Sequence, residues 1–234
     1  MELVERNPSE RPTRIRRVFV TGGTGYLGRP LVQQLVARGH HVTALVREAS
    51  AGGVPPGATV TVGNALDAST YAPSVPPADT FVHLVGVRRP SPFKNRAFRS
   101  IDLVAIRASV EAARASGIDH FVYLSVARPA PMMRVYQEVR QAGESMIEAA
   151  GLNATFLRPW YVLGPGHRWP YVLIPVYAAL ERIPATHAGA VRLGLVRRVQ
   201  MVHALVNAVE HPATGRCVVD VAAIRAGADP DHAA

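Results

Sequence analysis

The sequence predicts an α/β fold, with a doubly wound parallel sheet and a small C-terminal lobe. Three observations support this prediction. Short apolar runs rich in β-branched residues alternate with helical stretches from residue 15 to residue 159, which is typical of parallel strands joined by right-handed crossovers. Hydrophobic residues make up 48% of the 234-residue chain and charged residues only 18%, which allows one large core. Beyond Pro159, proline, glycine and aromatic residues become frequent, which indicates a different kind of packing.

Alternating strand and helix patterns define the order of the predicted elements. The strands are short runs of apolar, β-branched and aromatic residues, at Ile15–Val20, His41–Val46, Thr59–Gly63, Asp79–Val85, Asp119–Ser125, Asn153–Arg158 and Arg216–Val221. The main helices have helical periodicity or favourable composition, at Leu27–Arg38, Ala97–Ser116, Met132–Ala150 and Met201–Glu210. Gly39, Gly117 and Gly151 follow the first three helices as stop signals. The buried stripe of the second helix is predicted to be Ile101, Val104, Ala105, Ala108 and Ala112.

The chain is expected to form one domain with loose ends. Residues 1–14 and 222–234 are predicted tails, 15–159 a core, and 160–221 a small lobe that continues the same domain and lies over the carboxyl edge of the sheet. Cys217 is the single cysteine, which excludes a disulfide framework. The sequence has no apolar run of about 18 residues and no apolar secretory leader, so a cytoplasmic protein is expected.

The charge balance is the unusual global property. Lysine and arginine number 26 against 17 acidic residues, which gives a net charge of +9. The excess is spread along the chain, so no nucleic-acid partner is expected, and a phosphate-bearing ligand accounts for only part of it. The nine histidines show no metal-ligand spacing, so no metal site is expected. His83 is predicted to be a core residue, and His167 is an outside candidate for substrate contact.

A glycine-rich turn is the strongest motif. Gly22, Gly25 and Gly28 follow the first strand and open the first helix. In such a loop the first glycine permits a tight turn, the second lets the backbone approach a pyrophosphate, and the third allows close packing of helix and strand. The free N–H groups at the start of the helix then attract the anion. The motif therefore predicts a dinucleotide site in a Rossmann-type sheet; the alternative is a purely structural turn.

The run Thr21–Gly28 (TGGTGYLG) resembles the TGxxGxxG signature of extended and atypical short-chain dehydrogenases/reductases. That group includes sugar epimerases, NmrA-like proteins and relatives of NADH-dehydrogenase accessory subunits. The resemblance extends from Arg16 to Pro159, and it implies a homodimer as one possible assembly. It also implies which residues contact the dinucleotide. These are Gly22, Thr24, Gly25, Tyr26, Leu27, Gly28, Arg47, Asn64, Ala65, Leu84, Val85, Gly86, Arg140 and Pro159.

Three segments beyond the glycine loop carry the resemblance further. Asn64-Ala65 stands where the family has an aspartate followed by a hydrophobic residue against the adenine, so Asn64 is a departure. Leu84-Val85-Gly86 matches the loop that passes under the ribose. Arg158-Pro159 and the later Gly164-Pro165-Gly166 resemble the segment near the nicotinamide.

The residue after the second strand bears on the choice of dinucleotide. Arg47 follows Val46 directly, and an arginine at this place suits the 2′-phosphate of NADP. If the strand were one residue longer, Glu48 would take the position and favour NAD. The sequence therefore predicts that NADP(H) is preferred over NAD(H), with an ordinary solvated arginine as the alternative.

The resemblance also implies a catalytic group of serine, tyrosine and lysine. Ser125 falls at the serine position, at the end of the fifth strand, and Tyr136 lies on the next helix. Arg140 stands where the family has lysine, four residues after Tyr136 and hence on the same helix face. Arginine keeps the positive charge but cannot relay a proton. The structural alternatives are a tyrosine that only packs under the lobe and a serine that satisfies local backbone.

These expectations lead to two main functional hypotheses. The first is an NADPH-dependent reductase of a small apolar carbonyl, quinone or enone, with Trp169–Tyr177 either a lid over the substrate or a packing segment. The second is a non-catalytic NADP-binding redox sensor or assembly protein. A nucleotide-sugar epimerase or dehydratase fits less well, because the C-terminal lobe is short for a sugar-binding domain.

Overall fold

Nine strands are present in the computed structural model, which describes residues 14–88, 90–165 and 182–227. They are β1 Arg17–Thr21, β2 His41–Val46, β3 Thr59–Val62, β4 Thr80–His83, β5 His120–Leu124, β6 Ala154–Leu157, β7 Tyr161–Leu163, β8 Leu195–Arg197 and β9 Arg216–Val219. Seven of them form one parallel sheet in the order β3-β2-β1-β4-β5-β6-β9, and β7 pairs with β8 in a separate parallel ladder. The predicted doubly wound α/β fold is confirmed.

Helices flank both faces of this sheet. They are α1 Gly28–Ala37, α2 Leu103–Ala115, α3 Arg134–Ala149, α4 Pro184–Arg192, α5 Arg198–Glu210 and α6 Val221–Ala226. A short helical turn at Asn95–Ala97 and a π-helical turn at Phe98–Asp102 lead into α2. The three predicted stop glycines after α1, α2 and α3 have positive φ angles of 85°, 63° and 71°.

Alternating side chains of the strands build a core on each face of the sheet. In β1, Val18 and Val20 join the cluster that contains α1, α5 and α6, whereas Phe19 faces the opposite cluster under α2. Phe19, Phe81 and Phe121 contact one another in the second cluster, with ring centroids 5.2 and 5.1 Å apart. Because β1 and β4 are buried on both faces, the loops at their carboxyl ends stand on a firm base.

The structure corrects two details of the prediction. Ile101 and Val104 are 37% and 38% exposed, although Ala105, Ala108 and Ala112 are buried as expected. The π-helical turn adds a residue to the helical period, so that Phe98 and Asp102 face inwards instead. The expected tail from residue 222 is also wrong over its first part, because α6 begins at Val221. The Asp220 side chain accepts a hydrogen bond from the Ala223 amide, and Val221 and Ile224 are buried.

Several sequence predictions lie outside the described residues. They are the N-terminal tail up to residue 13, the proposed lid at Trp169–Tyr177, His167, Gly166 and the chain after residue 227. Within the described ranges, none of the helices combines the length and apolar character needed to cross a membrane.

Candidate functional site

The glycine loop lies where the sheet order reverses. The chain runs from β1 to β2 and β3 on one side of β1 and then crosses to β4 on its other side, which creates a crevice at the carboxyl edge. Gly22 has a φ of 78°, and a Cβ there would lie 3.0 Å from the carbonyl carbon of Leu84 and 3.2 Å from the amide nitrogen of Val85. The predicted glycine loop and the predicted Leu84–Gly86 loop are therefore in direct contact.

Gly28 lets α1 start against this turn. A Cβ at Gly28 would collide with the Gly22 carbonyl oxygen, and the Gly25 amide donates to that same oxygen at 2.9 Å. Leu27, the residue before the helix, makes no side-chain capping bond, and the first turn holds no acidic residue. The Arg29 amide donates to the Gly25 carbonyl at 3.0 Å and Pro30 has no N–H, so this end of α1 offers the Gly28 amide and the positive helix dipole to a phosphate group.

Tyr26 connects the loop to the C-terminal part of the chain. Its hydroxyl lies against Gly164, and the Arg198 guanidinium carbon lies 5.3 Å from the centroid of its ring. Thr24 is half-buried, and its methyl group would be 3.5 Å from a Cβ at Gly53. Of the other predicted contacts, Leu27 and Pro159 are buried and Ala65 is half-buried.

Arg47 and Asn64 lie at the ends of the next two strands. β2 ends at Val46, so Arg47 is the first residue beyond it, exposed and without an ion pair to any described residue. Asn64 is also exposed, and its side-chain oxygen accepts from the Leu66 amide at 3.1 Å. The oxygen of Asn64 is therefore used within its own loop.

Arg140 is held in a buried ion pair. One guanidinium nitrogen donates to Asp102 Oδ1 at 2.7 Å and another to the Leu124 carbonyl at 3.0 Å. Asp102 Oδ2 accepts from the Val87 amide at 2.9 Å, so both carboxylate oxygens receive N–H donors. Burial raises the pKa of Asp102, although the positive charge of Arg140 acts to lower it. Burial by itself lowers the pKa of Arg140, but Tyr136, Tyr123 and Asp102 outweigh it and raise that pKa.

Gly86 provides the space for this pair. A Cβ at Gly86 would lie 2.5 Å from a guanidinium nitrogen of Arg140 and 3.1 Å from Asp102 Oδ1. The loop that touches Gly22 through Leu84 and Val85 therefore also covers Arg140. The spacing from Tyr136 predicts the position of Arg140 on the inner face of α3. The same pattern does not predict Asp102 as the ion-pair partner of Arg140, because only the π-helical turn brings Asp102 inwards.

Tyr136 stands above Arg140 at the start of α3. The Arg140 guanidinium carbon is 5.1 Å from the centroid of its ring, and the ring of Phe98 is 5.0 Å away. Tyr136 is half-buried, and its hydroxyl is neither enclosed nor hydrogen-bonded to any residue in the described part of the chain. The structure thus brings together Tyr136 and Arg140 as the spacing predicts, with the tyrosine hydroxyl free.

Ser125 has a different partner. Its hydroxyl donates to Glu144 at 2.5 Å, and the residue is only 2% exposed. Glu144 also accepts two bonds from Arg158, at 2.9 and 2.5 Å, and one from Arg128 at 2.7 Å. Burial alone raises the pKa of Glu144, but the bonds from Arg158 and Ser125 and the two arginine charges together lower it.

This second ion-pair network was missed by sequence analysis. Glu144 lies one helical turn after Arg140, so the same spacing argument that paired Tyr136 with Arg140 could have placed it on the inner face of α3. Because the Ser125 hydroxyl donates to Glu144, the serine has to leave this bond before it can donate to a substrate oxygen.

His83 lies in the sheet below the crevice. It is fully buried, and its Nδ1 lies 2.8 Å from the Ser109 hydroxyl and 3.2 Å from the Thr21 hydroxyl. Burial, with a smaller contribution from the charge of Arg140, lowers the pKa of His83 to about 3. The side chain is therefore neutral in the fold, in agreement with its interpretation as a core residue.

Comparison with known proteins agrees with this geometry. A protein-family model described as NAD(P)H-binding matches residues 22–173. A 3-diazoavenalumate denitrifying reductase from a Streptomyces species is 31% identical over 228 residues, which cover 85% of this chain and 74% of that protein. The ceramide reductase of Caulobacter vibrioides is 29% identical over 191 residues, covering 80% and 56%. The photosystem II assembly factor Ycf39 of Synechocystis is 29% identical over 145 residues, covering 61% and 44%.

The chain thus spans about half the length of the ceramide reductase and of the assembly factor. Among solved structures, the Bordetella bronchiseptica enzyme WbmH in complex with NAD+ superposes with a TM-score of 0.66 at 19% identity, covering 88% of this chain and 75% of that one. The UDP-N-acetylglucosamine 4-epimerase of Bacillus cereus gives a TM-score of 0.66 at 17% identity, covering 88% and 78%. These structures share the fold. The chain belongs to the NAD(P)H-binding family, within the atypical, epimerase/dehydratase-like short-chain dehydrogenases/reductases.

Proposed function

We propose that this chain is an NADP(H)-dependent reductase of a small apolar carbonyl, quinone or enone. One observation carries the proposal: the ring of Tyr136, whose hydroxyl is free, stands over the buried Arg140, which lies against Gly86 in the loop that touches Gly22. Through Arg140 and Gly86, a candidate proton donor is therefore connected to the loop that binds the dinucleotide in this family. The reductases among the relatives support the same reaction class.

The described residues fit the dinucleotide. Side chains at Gly22 or Gly28 would fill the space in which the loops meet, and the uncapped start of α1 offers the Gly28 amide and its helix dipole to the pyrophosphate. Arg47, exposed at the end of β2, is proposed to form charge-assisted bonds with a 2′-phosphate, which gives the preference for NADP(H). When bound, the nicotinamide supplies the hydride.

The chain's own part of the reaction is proton transfer. Tyr136 is proposed to donate its proton to the substrate oxygen, and the charge of Arg140 beneath the ring stabilises the tyrosinate that results. Arg140 does not itself relay a proton, because guanidinium stays protonated. Ser125 contributes to holding the substrate only after its bond to Glu144 opens.

A non-catalytic NADP-binding sensor or assembly protein is the second candidate. It is favoured by the engagement of Arg140 with Asp102 and Leu124, since two of its guanidinium nitrogens already have protein partners. The similarity to the photosystem II assembly factor Ycf39 points the same way. In this case Tyr136 would pack without transferring a proton.

The test compares Tyr136→Phe with a matched control, Tyr71→Phe, which removes a hydroxyl from the fully buried Tyr71 of the second core cluster. NADPH oxidation is followed with a panel of quinones and enones, and NADPH affinity by quenching of tryptophan fluorescence. Loss of proton donation is expected to lower kcat by about a hundredfold or more in Tyr136→Phe, with little change in NADPH affinity. Tyr71→Phe should keep the wild-type kcat. Binding of NADPH without turnover of any substrate would favour the sensor, and absence of binding would overturn both candidates.

A further inference from the structure

The segment that follows β4 concentrates positive charge. Residues 88–99, here called the basic loop, contain five cations, Arg88, Arg89, Lys94, Arg96 and Arg99, and no acidic residue. Arg88, Arg96 and Arg99 are exposed, and none of the three forms an ion pair with a described residue. These three arginine charges are thus available to an external anion, and the basic loop holds a local part of the net charge of +9.

An aromatic side chain is exposed in the middle of the basic loop. Phe93 is 97% exposed, whereas Phe98, five residues later, is fully buried. Phe98 packs on Tyr136 and fixes the end of the basic loop to α3. One exposed phenylalanine is not by itself a site, but it contributes to a contact surface when other exposed apolar side chains and charges accompany it.

The two helical elements that this anchor joins also carry exposed aliphatic side chains. Ile101 and Val104, on the helical segment that continues from the basic loop, are 37% and 38% exposed. Met132, just before α3 and four residues from Tyr136, is 50% exposed. The exposed side chains of these segments therefore comprise one phenylalanine, three apolar aliphatic-type side chains and three arginines without an ion pair to a described residue.

We propose that the basic loop docks on an anionic lipid surface, with Phe93 inserted among the acyl chains near the headgroups and the arginines against lipid phosphates. Cations flanking an exposed apolar residue are the combination that binds such membranes. Nucleic acid is less well matched, because single-stranded binding uses rows of aromatic residues to stack successive bases, and here Phe93 is accompanied by aliphatic side chains. This inference is independent of catalysis, since it concerns a surface outside the dinucleotide crevice.

Its position gives the surface a functional meaning. Phe98 joins the basic loop to the ring of Tyr136 across 5.0 Å, and the Val87 amide at the root of the loop donates to Asp102. A lipid surface that holds Phe93 would thus lie on the same side of the molecule as the candidate proton donor. This further consequence rests on the proposed function: apolar substrates dissolved in that surface would reach the crevice without crossing bulk water.

Sedimentation with lipid vesicles tests the proposal. The full chain is mixed, without nucleotide, with vesicles of phosphatidylcholine alone or of phosphatidylcholine with phosphatidylglycerol, at low and high salt. Binding is expected only to the vesicles with phosphatidylglycerol, and more weakly at high salt. Phe93→Ser should reduce the partition coefficient by about tenfold, and the double variant Arg96→Glu/Arg99→Glu by at least about tenfold.

Matched controls lie on other surfaces. Val62→Ser removes an exposed apolar group from β3, and Arg114→Glu/Arg192→Glu reverses two exposed charges at the ends of α2 and α4; both should bind as the wild type does. All of these sites are exposed, and thermal unfolding checks that each variant is folded. Failure of the wild type to bind, or equal losses in the controls, would overturn the proposal. So would unchanged binding of Phe93→Ser combined with displacement by single-stranded DNA, which would indicate a nucleic-acid surface instead.

Discussion

The buried pair of Asp102 and Arg140 permits a quantitative test of how the site is held together. Their side chains are only 1% and 6% exposed, and the two charges meet at 2.7 Å. The perturbation is a double-mutant cycle of Asp102→Ala, Arg140→Met and the combination. Asp102→Ala leaves the arginine charge with the Leu124 carbonyl as its remaining hydrogen-bond acceptor, and Arg140→Met leaves the carboxylate with the Val87 amide.

Each single substitution leaves one charged side chain in the protein interior without its ion-pair partner. Removing one partner of such a pair typically costs about 3–5 kcal/mol of the free energy of unfolding. The double variant removes both charges, so its loss should resemble that of one single variant, and the coupling energy should be about 2 kcal/mol or more. For a chain of this size each kcal/mol lowers Tm by about 2–4 °C, which gives a decrease of roughly 10 °C for each single variant.

Urea unfolding at pH 7, followed by circular dichroism, measures these energies. The matched control is the Arg134–Glu138 pair of α3, which has a similar distance of 2.8 Å but side chains that are 91% and 50% exposed. Its cycle, Arg134→Met with Glu138→Ala, should give less than about 1 kcal/mol of coupling. Losses at Asp102 and Arg140 that add to within about half a kcal/mol would refute the claim that the two residues act as a pair.

Two further predictions concern the cofactor and acid stability. Arg47→Glu should weaken NADPH binding by at least about tenfold and leave NADH binding nearly unchanged, as measured by parallel fluorescence titrations with Arg114→Glu as the control; equal losses for both nucleotides would contradict a 2′-phosphate contact. His83 and His120 have pKa values lowered by burial to about 3 and about 4. Since the unfolded chain binds these protons near pH 6.5, stability should fall as the pH drops from about 6.5 towards 4, by about 2–3 kcal/mol for each histidine. Urea unfolding of His120→Asn between pH 7 and 4.5 should show a flatter dependence than the wild type, and an unchanged slope would refute the assignment.

Sequence reasoning succeeds where local pattern and packing agree. The parallel, doubly wound sheet follows from the alternation of strands and helices, and the glycine loop follows from Gly22, Gly25 and Gly28, where an added Cβ would lie 3.0 Å or less from another backbone atom. The end of β2 at Val46, and hence the place of Arg47, is also predicted correctly. These features depend on residues close in sequence or on the regular geometry of parallel crossovers.

The partners of the site residues could not be predicted in the same way. Asp102 reaches Arg140 from 38 residues away, and only the π-helical turn at Phe98–Asp102 aims it inwards. Ser125 fits the family position, yet the sequence alone does not show that Glu144 takes its hydroxyl. Long-range ion pairs depend on the position and rotation of each helix relative to the sheet, and the helical period alone does not specify these.

The arginine at position 140 is best understood together with its surroundings. A lysine has a single nitrogen, whereas separate guanidinium nitrogens of Arg140 hold Asp102 and the Leu124 carbonyl, and the absence of a Cβ at Gly86 leaves room for one of them. Asp102 in turn accepts a hydrogen bond from the amide of Val87, the residue just before the basic loop. One buried pair therefore links the loop beside the dinucleotide crevice, the helix that carries Tyr136 and the surface proposed to meet lipid. Because the Tyr136 ring lies over Arg140 and its hydroxyl is free of bonds to the described residues, the arginine does not by itself remove the candidate proton donor.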